Sequence, residues 1–139
     1  MTTPAESLPP GQGDRTRVLV VDDHAPLRWL IVEVLEEAGD IAVVGECSDG
    51  EEVVDAFLRT RPDVVLMDVN MPGTDGIEAT RRLLAVEPGA RVVLLTASSG
   101  ADRSENARRL GGAGCLSKAD VGALPDRVRA VASGGTAWG

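Results

Sequence analysis

Short continuous apolar runs alternate along this chain with longer stretches in which apolar residues recur every three or four positions. Arg17-Val-Leu-Val-Val-Asp22 is a β-branched run of the first kind, the pattern of a strand buried on both faces in a parallel sheet. Leu27, Leu30, Ile31, Val34, Leu35 and Ala38 then fall on one helical face, with Pro26 suited to the first turn and Gly39 to the stop. The alternation continues with a strand at Ile41–Gly45 and a short helix at Glu51–Leu58 that turns Val54, Phe57 and Leu58 inward. A strand follows at Val64–Met67, a helix at Asp75–Val86 and a strand at Arg91–Leu95. A fifth strand lies around Gly114–Leu116, and a last helix, Val121–Ala132, places Val121, Leu124, Val128 and Val131 on one face. Strands and helices in strict alternation predict an α/β fold, a five-stranded parallel sheet doubly wound with helices on both sides.

Two regions depart from the pattern. Residues 1–15 are rich in Pro, Gly, Thr and Ser, and are expected to form a disordered tail ahead of a domain spanning 16–134. Ser98–Gly112 offers only Ala101, Ala107 and Leu110 as apolar anchors among several glycines, so a helix there is expected to be short and weakly packed.

Composition narrows the function. The 139 residues carry a net charge of −8, which argues against direct binding of this chain to nucleic acid or to an anionic membrane. Tyr is absent, and Trp29, Trp138 and Phe57 are the only aromatic residues, too few for base-stacking platforms. No apolar run approaches the ~18 residues of a membrane span, and the first residues lack the basic start and apolar stretch of a secretory signal. Cys47 and Cys115 stand far apart without CxxC spacing, as expected of reduced core thiols in a cytoplasmic protein.

The polar residues that close the strands carry the chemistry. Asp22 and Asp23 end the first strand and Asp68 the third; Thr96 follows the fourth; Lys118, the single lysine, follows the fifth. Ligands of open α/β sheets bind beyond the carboxyl ends of the strands, so these residues are expected to converge. Each alone has a plainer reading, an Asp or Thr as helix cap or the Lys as a solvated side chain; their coincidence at one end of the sheet favours a site. Carboxylates at ~4 Å repel by about 4 kcal/mol at an effective dielectric near 20, so a cation is needed. Mg²⁺ takes one or two carboxylates together with waters, and with Lys118 such a centre suits a phosphoryl group attacked by a carboxylate. Asp68, between Leu66-Met67 and Val69, is the expected nucleophile. His24 beside the acidic pair is expected to be an exposed loop or cap residue, and Trp29 to lie exposed, opposite the apolar stripe of its helix.

The stretches LVVDDHAPLR, VVLMDVNMPGTDGIEA, LLTAS and CLSK, with 28 residues from Asp68 to Thr96 and 22 from Thr96 to Lys118, resemble the receiver domain of two-component response regulators. The likeness extends over residues 17–134. DDH and the ending AVASGGTAW resemble the subfamily with a LuxR-type C-terminal helix-turn-helix. The resemblance implies a flavodoxin-like (βα)5 fold with strand order 2-1-3-4-5. It implies that Asp68 accepts a phosphoryl group from a sensor histidine kinase, and that Asp23 binds Mg²⁺ with Asp22 assisting and Asp68 and the Asn70 backbone carbonyl completing the protein ligands. Thr96 and Lys118 would contact the phosphoryl group, and Pro72 and Gly76 would shape the loop after Asp68. It further implies a signalling domain rather than an enzyme, able to transfer phosphoryl only to itself and to hydrolyse it. A homodimer on activation and a cytoplasmic location follow, with DNA reached only through a C-terminal domain that these residues lack. Two departures stand out. The aromatic residue usual three positions before the Lys is Cys115, so switching cannot follow the usual ring rotation. No helix-turn-helix follows either, so residues 135–139 are read as the start of a linker or a C-terminal tail. A stand-alone receiver and a phosphate-independent interaction module are the alternatives.

Overall fold

The computed structural model describes residues 15–97 and 101–138. The expected N-terminal tail, apart from its last residue, and the start of the Ser98–Gly112 segment therefore lie outside the described residues.

The apolar runs form strands β1 (Thr16–Val21), β2 (Ile41–Cys47), β3 (Val64–Asp68), β4 (Val92–Thr96) and β5 (Gly114–Ser117). The periodic stretches form helices α1 (Ala25–Glu37), α2 (Val53–Thr60), α3 (Gly76–Val86) and α5 (Leu124–Ala132), and the apolar-poor segment before β5 holds α4 (Ala101–Leu110). The strands pair in parallel in the order β2-β1-β3-β4-β5, the expected doubly wound topology, and the sheet goes one strand further: β6 (Ala137–Trp138) adds to β5. Residues expected to begin a linker or tail thus become part of the sheet.

β3 and β4 are buried along their whole length, which is why they read as unbroken apolar runs rather than alternating ones. Side chains of one strand parity, among them Leu19, Met67 and Leu94, pack with Phe57, Leu83 and Ala107 of α2, α3 and α4. The other parity, including Val20, Leu66 and Leu95, packs with Ile31 and Leu35 of α1 and Leu124, Val128 and Val131 of α5. Leu30 and Leu58, expected to face inward, are 44% and 40% exposed. The buried stripes are narrower than the apolar arcs; α2 buries Val53, Ala56 and Phe57 instead. The last helix also begins later than expected. Residues Lys118–Ala123 form a 3-10 turn with non-helical backbone at Asp120, and the α-helix starts at Leu124 with a Pro in its first turn.

Asp75 caps α3 by accepting a hydrogen bond from Glu78 N at 2.8 Å. Gly76 comes next, and a Cβ there would run into the Asp68 carbonyl. A residue without a side chain is required where α3 folds back against the end of β3.

Candidate functional site

The order β2-β1-β3 makes β1 and β3 neighbours, and their register, Val20 opposite Leu66 and Val21 opposite Met67, continues to place Asp22 beside Asp68. Asp22, Asp23 and Asp68 each offer a carboxylate oxygen, all within 4.8 Å of one another. Asp22 and Asp68 are fully buried and Asp23 is exposed at the mouth. From the end of β5, Lys118 sets its ammonium 2.8 Å from Asp68 Oδ1 and 3.7 Å from Asp22 Oδ2. The Asn70 N–H donates to Asp68 Oδ1 at 3.1 Å and the His24 N–H to Asp22 Oδ1 at 2.8 Å. On α1, Arg28 donates to the Asp22 carbonyl at 2.6 Å and pairs with Glu46. Sequence reasoning passed over Arg28; its place in the first turn of α1, five residues after Asp23, is the signal that could have found it.

Two buried oxygens, Asp22 Oδ2 and Asp68 Oδ2, accept no hydrogen bond. Buried carboxylate oxygens without partners are costly, and here both belong to the cluster whose donor set, three carboxylates, suits a hard divalent cation. The residues present fit Mg²⁺. Burial pushes the Asp68 carboxyl up to about 6; the hydrogen bond from Lys118 pulls it down, and the Asp22 charge pushes it further up.

Thr96 is buried at the end of β4, one residue beyond the partner of Asp68 and opposite Ser117 of β5. The structure therefore brings Asp22, Asp23, Asp68 and Lys118 into contact distance and sets Asn70 and Thr96 on the adjoining loop and strand end. Cys115 lies away from this cluster, buried in the core beneath α4 and paired in register with Trp138. His24 is exposed just ahead of α1, with no side-chain capping bond, and Trp29 is 65% exposed, both as expected. An open cleft of about 410 Å³ borders the loop after Asp68, lined by Val69, Asn70, Met71, Pro72, Asp75 and Ile77.

A doubly wound parallel sheet with an acidic cluster and one lysine gathered at its strand ends defines a class of α/β domain. The family model described as "Response regulator receiver domain" matches residues 18–129, and the chain belongs to that family. Protein CcdB of Bacillus subtilis is 49% identical over 82 residues, covering 59% of this chain and 68% of CcdB. Response regulator GacA of Pseudomonas viridiflava is 40% identical over 119 residues, 85% of this chain. The chain spans 56% of the length of GacA. Among solved structures, a LuxR-family two-component response regulator from Aurantimonas sp. SI85-9A1 superposes with a TM-score of 0.85 at 32% identity, covering 88% of this chain and 89% of that one. The response regulator domain of Thermotoga maritima CheB gives 0.77 at 29% identity, covering 86% and 97%. As a receiver domain the chain is a signalling module of two-component systems. Among the described residues no helix is long and apolar enough to cross a membrane.

Proposed function

We propose that this receiver accepts a phosphoryl group on Asp68 from a sensor histidine kinase. The observation that carries the reading is the asymmetry of the Asp68 carboxylate. Oδ1 is engaged by Lys118 and by the Asn70 N–H, whereas Oδ2 is buried without a partner. Oδ2 is thus the oxygen free to attack. In the transfer, Oδ2 forms a bond to phosphorus as the phosphorus–nitrogen bond of a phosphohistidine breaks; the electron pair returns to the imidazole, and Asp68 becomes an acyl phosphate. Lys118 stays beside the oxygens that gain charge, and the Thr96 hydroxyl, at the end of β4, would donate to one of them. Asp23, Asp22, the Asn70 carbonyl and the carboxylate oxygen of Asp68 that does not attack would hold Mg²⁺, which would neutralise charge on the phosphoryl oxygens. Water attack at phosphorus would reset the site. The output is transcriptional, through a DNA-binding domain joined to the receiver in the full regulator, with the cytoplasm as its place of action.

Incubation with a small phosphodonor and Mg²⁺ is expected to add one phosphoryl group by intact mass. Asp68→Asn keeps the shape but is no nucleophile, and is expected to abolish the uptake while the circular dichroism spectrum is retained. Phosphate mapped to another residue overturns the assignment.

A further inference from the structure

The edge of the sheet carries a feature that phosphoryl chemistry does not use. β6 is two residues long, and the contacts that hold it are specific. Ala137 is fully buried and its N–H bonds to the Ala113 carbonyl at 2.9 Å. Gly114 lies so close to the Ala137 backbone that a Cβ at 114 would collide with the Ala137 carbonyl; the glycine is what lets the strand seat. Trp138 pairs with Cys115 and packs against the core cluster that contains Cys115 and Ala107. Arg108 of α4 stacks its guanidinium over the indole, 4.4 Å from the ring.

The other end of the same short strand reaches the acidic site. β5 runs from Gly114 to Ser117 and leads directly into Lys118, which bridges Asp68 and Asp22. At roughly 3.3 Å per residue, the Trp138 seat and the ammonium stem are about 10 Å apart along one strand.

We infer that β6 is a coupling element: the seat of Trp138 between Cys115 and Arg108 is energetically linked, through β5, to the occupancy of the Asp68 site. The inference rests on the reading of Asp68 as the phosphoryl site. A phosphoryl group there adds negative charge beside Lys118 and changes the pull on the end of β5. At the other end the close approach of Gly114 to Ala137 leaves no slack, and close-packed contacts transmit a displacement instead of absorbing it. The response is a choice between a seated and a released ring, because the strand is too short to bend within its ladder. The strand is only two residues long, so a modest bias changes the population of the seat. By reciprocity, weakening the seat alters the affinity of the acidic site for a phosphoryl analogue.

The test uses the full 139-residue chain carrying Trp29→Phe, which leaves Trp138 as the single tryptophan. Beryllium fluoride with Mg²⁺ serves as the phosphoryl analogue, its binding followed independently by fluorine NMR. Acrylamide quenching of Trp138 is expected to change in step with saturation, and Asp68→Asn is expected to abolish both signals. Arg108→Ala, a surface change, is expected to raise quenching in the free protein and to shift the analogue's dissociation constant by about fivefold or more. Gly114→Ala is expected to do the same more strongly. If the analogue binds at Asp68 while Trp138 quenching stays constant and Arg108→Ala leaves the constant unchanged, the coupling is overturned and the phosphoryl site stands. If fluorine NMR shows no binding at all, both readings fall. Should Gly114→Ala unfold, Arg108→Ala decides.

Discussion

Asp68 protonates at about 6 in this fold because its carboxylate is buried next to Asp22, and Lys118 offsets only part of that cost. Between the ordinary carboxylate value and about 6, the folded chain binds more protons than the unfolded one. This group therefore makes the fold less stable as pH rises through that window, by an amount on the order of 1–2 kcal/mol after screening at the cleft. Asp68→Asn mimics the protonated form. It is expected to raise the metal-free melting temperature at pH 7.5, and the advantage should vanish as pH falls towards 4; differential scanning calorimetry across that range checks the sign. Mg²⁺ is expected to stabilise the wild type in the opposite sense, more at pH 7.5 than at pH 5, since it binds the ionised cluster. Asp23→Ala is expected to remove most of the Mg²⁺ effect and to raise metal-free stability by relieving repulsion. An unchanged Mg²⁺ response in that variant contradicts its role as a ligand.

The elements differ in how firmly they are held. β3 and β4 are buried throughout, whereas α4 buries only Ala107 among residues 105–110, between exposed Arg108, Arg109 and Glu105. Amides of residues 105–110 are therefore expected to exchange much faster than those of β3 and β4, and to gain protection on binding a phosphoryl analogue at Asp68; equal protection before binding would rule out an ordering role for this helix. The same contrast governs what could be read in advance. Strands buried on both faces advertise themselves as unbroken runs such as Val64-Val65-Leu66-Met67, and the turn residues beside them announce the strand ends where the acidic residues and Lys118 sit. Periodicity placed α1, α2, α3 and α5 but not the limits of their buried stripes, hence Leu30 and Leu58; α4 lies where the apolar spacing is weakest. The 3-10 turn before α5 rests on backbone geometry at Asp120 that no apolar spacing reports. β6 was illegible for a different reason: Ala137-Trp138 has no strand signal of its own, and becomes a strand only because Gly114 lets it reach the edge of β5.

At the scale of the molecule, the exposed face of α1 stands next to the mouth of the acidic site. Trp29 is 65% exposed and Leu30 lies beside it at 44%, while Arg28 on the same helix reaches the Asp22 carbonyl. Under the proposed phosphotransfer to Asp68, an apolar patch at that position suits the kinase as a docking surface. Trp29→Ala is expected to slow transfer from the cognate kinase by about tenfold, the loss that follows from removing an anchor worth ~1.4 kcal/mol, and to leave transfer from a small phosphodonor intact. Equal slowing of both would point to the fold instead of the surface.

The bridge from Lys118 to Asp68 and Asp22 has a consequence for the order in which the chain is made. Synthesis delivers the buried carboxylates at the ends of β1 and β3 well before the only lysine that compensates them, since Lys118 follows the fifth strand. A nascent chain that has emerged only as far as β4 holds two acidic groups that the His24 and Asn70 N–H groups reach but no ammonium yet bridges. Closing the central sheet at that stage is disfavoured, and the appearance of β5 supplies both an edge strand and the missing positive charge. Ribosome-bound chains arrested before and after residue 118 are thus expected to differ sharply in protease resistance, with the site's own electrostatics timing when the sheet can close.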